Sequence, residues 1–263
     1  VLEATYDIES IQVRVDGKTL FSCGSLTILP GQLTAIIGPN GAGKSTLLRA
    51  LSGMQGQCRG RFAGQPLRPE ILCNGRSLAW VAQHQSADSP LSLQDYVLLG
   101  RRPHLGRWGQ VSAEERQAVA ALLAELELTA LALRPLASLS GGQRQLAAIA
   151  RAMVQDAPVI LLDEPGNHLD IRYQHRLMGL LSRLAGTGRT VVCVLHDLAL
   201  AANYADAVLL VAEGAIAQSG AVADVLQAGL LSRMYRWPIQ PSWHAARQVW
   251  QVDAEVDRAA VPQ

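Results

Sequence analysis

The sequence predicts an α/β fold: a mostly parallel sheet carrying a phosphate-binding loop, a small antiparallel layer ahead of it, and an inserted helical subdomain. Three observations predict this. The glycine-rich stretch Gly38-Pro39-Asn40-Gly41-Ala42-Gly43-Lys44-Ser45-Thr46 follows the apolar run Leu33–Ile37 and precedes a helix-like run over 47–51. That strand–loop–helix context is what the pattern G-x-x-x-x-G-K-[ST] requires. Buried apolar runs at 159–162, 190–195 and 207–211 alternate with helical patterns, as in a parallel sheet covered on both faces. Between residues 86 and 156 the pattern is helical, which marks an insertion between two strands of the core.

In chain order, residues 10–15 and 25–29 flank Asp16-Gly17, a hairpin turn, and lead through Pro30-Gly31 into the strand before the glycine loop. A helix over 44–53 ends at Gly53. Gly60, Gly64, Pro66 and Pro69 predict short strands and turns over 57–73, followed by the strand 78–82 and Gln83. Ser92 N-caps a helix through Leu99, with Asp95 in its first turn. Ser112 and Glu115 have capping-box spacing, and apolar positions 118, 119, 122, 123 and 126 continue that helix. A third helix, over 142–155, begins after Ser140-Gly141-Gly142. Beyond the strand at 159–162 the order is helix 171–185, strand 190–195, helix 198–204 and strand 207–211, with a turn at Glu213-Gly214. Three of the five tryptophans fall in the last 30 or so residues, where 247–252 alternate as a strand does.

The 263 residues suffice for one large domain or two small ones with ample core. A formal charge of +1 gives no electrostatic reason to expect nucleic acid. Cys23, Cys58, Cys73 and Cys193 have no CxxC spacing and read as reduced thiols of a cytosolic protein, Cys193 as strand packing. No run of 18 uncharged apolar residues and no basic–apolar leader is present, so neither a membrane span nor a secretion signal is expected.

The chemistry begins in the loop. Glycines let successive backbone N–H groups turn into one concavity, and the following helix N-terminus adds partial positive charge. Lys44 would reach the β- and γ-phosphates and Ser45 would ligate the Mg²⁺ bridging them. Lys44 is one of two lysines in a chain with 21 arginines, and a slim ammonium fits between phosphate oxygens where a guanidinium fork would not. Asp163-Glu164 and His196 follow buried strands and belong at the same sheet edge. Ser140-Gly141-Gly142-Gln143 opens a second helix as an anion-binding N-terminus. One triphosphate does not need two such readers in one chain, so a nucleotide shared between two copies is expected.

The stretch LSGGQRQ, taken with GPNGAGKST, VILLDEP, Gln83 and His196, resembles the ATP-binding subunit of ABC transporters over about residues 10–235. The resemblance implies a P-loop NTPase with a RecA-like core (1–85 and 157–227), a helical subdomain (86–156) and a C-terminal extension (228–263). It implies ATP and Mg²⁺ as cofactors, with residues 38–46 as the Walker A loop and Asp163 as the Walker B aspartate at the Mg²⁺. Glu164 matches the general base, Gln83 the γ-phosphate and Mg²⁺ sensor, and His196 a γ-phosphate contact. Ser140, Gly141, Gly142 and Gln143 would close over ATP held by the partner subunit of a homodimer, and Asp170 sits in the loop that crosses between them. Two departures stand out. Val15 occupies the place of an adenine-stacking aromatic, and the loop before Asp170 reads Gly166-Asn167-His168, which predicts extra flexibility.

Within the family, Val97-Leu98-Leu99-Gly100-Arg101-Arg102-Pro103-His104 resembles importers of iron chelates, heme and vitamin B12. Locally the same residues read as a helix C-terminus with basic side chains and a proline stop. The resemblance implies integral-membrane permease subunits docking near residues 83–105, a periplasmic or surface binding protein acting indirectly, and a place on the cytoplasmic face of the inner membrane. Iron-siderophore or heme uptake is the expected function, with cobalamin uptake as the alternative. A soluble ABC-type ATPase of DNA repair or ribosomes would need a coiled-coil insertion or tandem cassettes, and neither is present.

Overall fold

A computed structural model of the chain describes residues 5–83, 89–105, 109–167 and 169–255. His168 and positions 84–88 of the 83–105 segment lie outside the described residues. β1 (Tyr6–Val15) turns at Asp16-Gly17 into β2 (Lys18–Cys23), and β3 (Leu26–Ile28) pairs with the start of β1. Asp16 and Gly17 both have positive φ, 48° and 77°, as a two-residue hairpin turn of this hand requires. β4 (Leu33–Ile37) leads through the glycine loop into α1 (Lys44–Leu51). β5 (Gln57–Phe62) and β6 (Gln65–Pro66) complete the antiparallel layer, in the order β2-β1-β5-β6. A short α2 (Pro69–Leu72) follows, which the glycine–proline density did not suggest; Pro69 opens it, where a missing N–H costs nothing.

β7 (Leu78–Val81) precedes the helical part. α3 (Leu93–Leu98) is capped by Ser92, whose Oγ accepts from the Asp95 N–H. It continues as a 3-10 turn, Leu99–His104, with Pro103 inside the turn rather than beyond it. α4 (Ala113–Glu125) and α5 (Gly141–Val154) each start with a complete capping box, Ser112/Glu115 and Ser140/Gln143. β8 (Val159–Asp163), α6 (Ile171–Gly186), β9 (Thr190–Val194), α7 (Leu198–Tyr204), β10 (Ala207–Ala212) and β11 (Ala215–Ala221) return to the core. The main sheet has the order β11-β10-β4-β9-β8-β7, parallel except for β11 at the edge. After α8 (Val222–Val225), α9 (Ala228–Tyr235) and the antiparallel pair β12 (Ile239–His244) and β13 (Val249–Ala254) form the tail. The alternation over 247–252 predicted only the second strand of that hairpin.

The continuous apolar strands are explained by burial on both faces. Ile36, Leu161, Val192, Val194, Leu209 and Val211 point to one side, where α1 lies between the main sheet and the antiparallel layer. Ala35, Ile37, Ile160, Leu162, Val191, Cys193, Val208 and Leu210 point to the other, toward α3 to α8. Each such valine, leucine or isoleucine side chain, removed from water, contributes about 1.5–3 kcal/mol before the entropy of ordering is subtracted. Within the first core Tyr6 is fully buried, its hydroxyl donating to Leu51 O at 3.0 Å and its ring edge-on to Phe62 at 5.1 Å. The strand order matters for function because β4, β9, β8 and β7 are neighbours. Their C-terminal ends bring the glycine loop, His196, Asp163-Glu164 and Gln83 to one edge.

Candidate nucleotide-binding site

The loop holds its shape through its glycines. Gly38 has φ 147°, and a Cβ there would lie 2.0 Å from the Val211 carbonyl oxygen, because the loop leaves β4 packed against β10. Gly43, at φ 104°, starts α1 with no side-chain cap, so the first-turn N–H groups are not taken by a capping oxygen. Lys44 is 5% exposed and donates from Nζ to Gly38 O at 2.8 Å and Pro39 O at 2.9 Å. Burial lowers its pKa, and the carboxylates of Glu164 and Asp163 oppose that shift. Its ammonium is therefore folded over the loop, with one N–H remaining after two carbonyls are served.

Ser45 Oγ donates to Asp163 Oδ1 at 2.9 Å, joining the start of α1 to the end of β8. Asp163 is 1% exposed; burial pushes its pKa up while the Ser45 hydrogen bond pulls it down. Among the described residues no group of three or more His, Cys, Asp or Glu could hold a metal by itself. A hydroxyl and a carboxylate oxygen beside a phosphate cradle nevertheless fit Mg²⁺, which takes one or two protein oxygens and completes its shell with phosphates and water.

Glu164 follows β8 in a left-handed conformation, φ 52°, a region few non-glycine residues enter. That turn carries its carboxylate into a ring of donors. Gln83 Nε2 donates to Oε2 at 2.6 Å, Asn167 Nδ2 donates to the same oxygen, and His196 Nε2 meets Oε1 at 2.5 Å. Burial raises the Glu164 pKa, but His196, Gln83 and Asn167 together outweigh it and hold the carboxyl below its ordinary range. The group is thus ionised at neutral pH and oriented by three partners.

The structure brings Lys44, Ser45, Asp163, Glu164, Gln83 and His196 to one sheet edge, with Ser45 bonded to Asp163, Gln83 and His196 gathered on Glu164, and Lys44 under the charge of both carboxylates. Asn167 belongs there too and was missed by the sequence reading; its one signal is its place three residues after Glu164, within reach of a turn. Asn167 is tied to Glu164, and Gly166 O accepts from Gln174 Nε2 at 3.1 Å. Asp170 caps α6, its Oδ1 accepting from the Tyr173 N–H at 2.9 Å. Ser140, Gly141, Gly142 and Gln143 stand apart, and no hydrogen bond among the described residues joins them to the loop at 38–46. Ser140 and Gln143 cap α5 reciprocally, Ser140 N to Gln143 Oε1 at 2.9 Å and Gln143 N to Ser140 Oγ at 3.3 Å. Val15 ends β1 with an exposed aliphatic side chain. Phe21 approaches the loop, with Cδ2 3.1 Å from where a Gly43 Cβ would stand, but it is fully buried in the core, and Tyr235 lines a cavity with Pro39, Asn40, Gly41 and Ala42.

Residues 100–104 also differ from the local reading. Two of their basic groups, Arg101 and His104, reach the end of α5, and Arg101 Nε also donates to Glu115 Oε1 of α4 at 2.9 Å. Arg101 Nη1 donates to Val154 O at 2.9 Å and His104 Nε2 lies 2.6 Å from Gln155 O. The cause is close packing: a Cβ on Gly100 would lie 2.2 Å from Arg151 O, so the 3-10 turn rests directly on the end of α5.

Comparison with known proteins agrees with this geometry. The family model described as ABC transporter matches residues 22–167, more than half of the chain. The hemin import ATP-binding protein HmuV of Streptomyces coelicolor is 39% identical over 236 residues, covering 88% of this chain and 82% of that protein. Among solved structures, an ABC transporter of metal-chelate type in an inward-facing conformation is 28% identical with a TM-score of 0.80. It covers 98% of this chain and 100% of that one. The dimeric post-hydrolysis state of the ATP-binding cassette MJ0796 with ADP and Pi is 26% identical, with a TM-score of 0.70 and coverage of 82% and 98%. A phosphate loop, an acidic pair at a strand end and an oriented ionised glutamate are the parts ATP hydrolysis needs, and the chain belongs to the ABC transporter family as an ATP-binding, ATP-hydrolysing member.

Proposed function

We propose that the chain is the ATPase subunit of an importer for a metal chelate, with heme as the cargo. It acts as a homodimer on the cytoplasmic face of the membrane beneath separate permease subunits, which dock near residues 83–105. A binding protein delivers cargo to the permease and touches this chain only indirectly. The observation that carries the ATPase part is the convergence of Gln83, Asn167 and His196 on Glu164, beside the Ser45–Asp163 pair. The likeness to a hemin import protein supports the cargo. Among the described residues no helix is long and apolar enough to cross a membrane.

Phosphoryl transfer to water needs positioning and charge stabilisation, with no covalent nucleophile. Residues 38–46 hold the phosphates, and Lys44 exchanges its loop carbonyls for phosphate oxygens. Ser45 and Asp163, with Gln83 through its side-chain oxygen, would hold Mg²⁺, which supplies charge neutralisation at the β- and γ-phosphates. Glu164 accepts the proton of the attacking water and His196 contacts the γ-phosphate. Ser140, Gly141, Gly142 and Gln143 of one copy cover the ATP of the other, and Asp170 lies at the crossing. Residues 1–85 with 157–227 form the nucleotide core, 86–156 the helical part and 228–263 an extension.

Glu164→Gln should keep ATP binding, lower turnover by about 10²- to 10⁴-fold and leave a closed dimer in ATP. Turnover at the wild-type rate would remove the general-base assignment. A strain lacking the chain should lose growth on heme as sole iron source. Undiminished heme uptake would refute the cargo.

A further inference from the structure

The tail after α8 reaches back to the phosphate loop. An open cleft of about 670 Å³ is lined by Pro39, Asn40 and Gly41 of the loop and by Met234 and Tyr235 at the end of α9. The Tyr235 hydroxyl is shut off from water, meets no partner at hydrogen-bond geometry among the described residues, and faces the backbone of Gly38. Burial pushes the phenol up to about 12, while the Gly38 backbone pulls it down. Gly38 is also the residue that Val211 O confines to glycine, and its carbonyl oxygen accepts from Lys44 Nζ at 2.8 Å. A buried hydroxyl without a full hydrogen bond costs stability, and phenylalanine would fill the same space without that cost.

The helix that carries Tyr235 is tied in turn to the element that follows His196. Ser232 Oγ of α9 accepts from Ile239 N at 2.9 Å and donates to Ile239 O at 3.1 Å, fixing the start of β12. β12 pairs with β13 from Ile239 opposite Ala254 to His244 opposite Val249. Trp237 Nε1 donates to Glu255 O at 2.8 Å, which closes the end of the hairpin onto the residues after α9. Asn203 of α7 then holds β13 as a neighbouring strand would. Its Oδ1 accepts from Trp250 N at 2.7 Å and its Nδ2 donates to Trp250 O at 2.9 Å. α7 is capped by Asp197, directly after His196, whose Nε2 meets Glu164. One continuous path therefore runs from Gly38 through Tyr235, Ser232, the hairpin and Asn203 to the helix that follows His196.

We propose that Tyr235 and Asn203 are positioning residues, and that the tail braces the phosphate loop against the helix that follows His196. Tyr235 fixes the first glycine of the loop. Asn203 holds the hairpin to which α9, and with it Tyr235, is tied. This rests on the reading of residues 38–46 as the ATP cradle. A glycine-rich loop has few side chains with which to hold its own shape, so a group placed against its first residue lowers the cost of ordering it around phosphates.

The test measures ATP binding to the whole chain by equilibrium dialysis with Mg²⁺ in a Glu164→Gln background, together with the melting temperature without nucleotide. Tyr235→Phe removes only the hydroxyl. It should leave the melting temperature equal or higher and raise the Kd for ATP about three- to tenfold, the range of one hydrogen bond. Asn203→Ala should also raise the Kd, and the double variant no further than Tyr235→Phe alone, because both act along one path. Lys44→Ala is the control for the cradle. If it binds ATP as tightly as its parent, the cradle reading falls and the brace with it. If it binds weakly while Tyr235→Phe keeps the parent's affinity, the brace alone is overturned. Additive losses from Tyr235→Phe and Asn203→Ala would also overturn it, by making each residue act on its own neighbours.

Discussion

Gly38→Ala offers a test of the loop geometry that needs no nucleotide. The added Cβ would stand 2.0 Å from Val211 O and 3.0 Å from its carbonyl carbon, so backbone must move to accept it. Neither side yields easily, because β4 and β10 are hydrogen-bonded neighbours through Ile37 and Leu210. A φ of 147° costs a non-glycine residue roughly 1–3 kcal/mol, and overpacking adds about 1–3 kcal/mol. The sum, about 2–6 kcal/mol, corresponds at about 2–4 °C per kcal/mol to a fall in melting temperature of roughly 4–24 °C. Gly41→Ala is the internal control. Gly41 also has positive φ, 76°, but a Cβ there meets nothing within 4 Å, so only a left-handed penalty of about 1 kcal/mol applies. Thermal and urea unfolding of both variants without nucleotide should rank Gly38→Ala well below Gly41→Ala. Melting of the two within a degree or so of each other would refute the claim that contact with Val211 dictates glycine at position 38.

Two further predictions concern titrating groups. The ionised form of Glu164 favours the folded chain, because its folded pKa lies below the ordinary 4.5; that contribution is complete above about pH 4.5 and is lost as pH falls through the folded value. Asn167→Ala removes one donor and should raise the folded value, so that acidification from about pH 7 to about pH 3 costs less stability; urea unfolding showing the full wild-type loss would count against the Asn167 contact. Burial pushes the thiols of Cys58 to about 11 and Cys193 to about 12, whereas Cys73 is exposed. A thiol reagent at about pH 8 should therefore label Cys73 first and Cys193 only on unfolding, as mass spectrometry of timed samples would show. Early labelling of Cys193 would contradict its packing in β9.

Much of this molecule was legible because its signals are local. A glycine loop between strand and helix, serine caps at Ser92 and Ser112, and the turn at Asp16-Gly17 depend on neighbours a few residues away. The apolar strands were equally plain, since burial on both faces leaves no room for polar residues at 159–162. Resemblance to a known family then assigned roles to Gln83, Asp163, Glu164 and His196 that spacing alone could not. Contacts made across the fold were not legible. The place of Asn167 depends on the left-handed turn at Glu164, and the service of Arg101 and His104 to α5 depends on how closely Gly100 approaches that helix. The sequence by itself determined most of the strands and helices, though not α2 or β12, because hydrogen bonds within a turn and burial periodicity are short-range. Only the tertiary structure decided which side chain meets which, because those pairings are set by the order of strands in the sheet and by close packing between segments far apart in the chain.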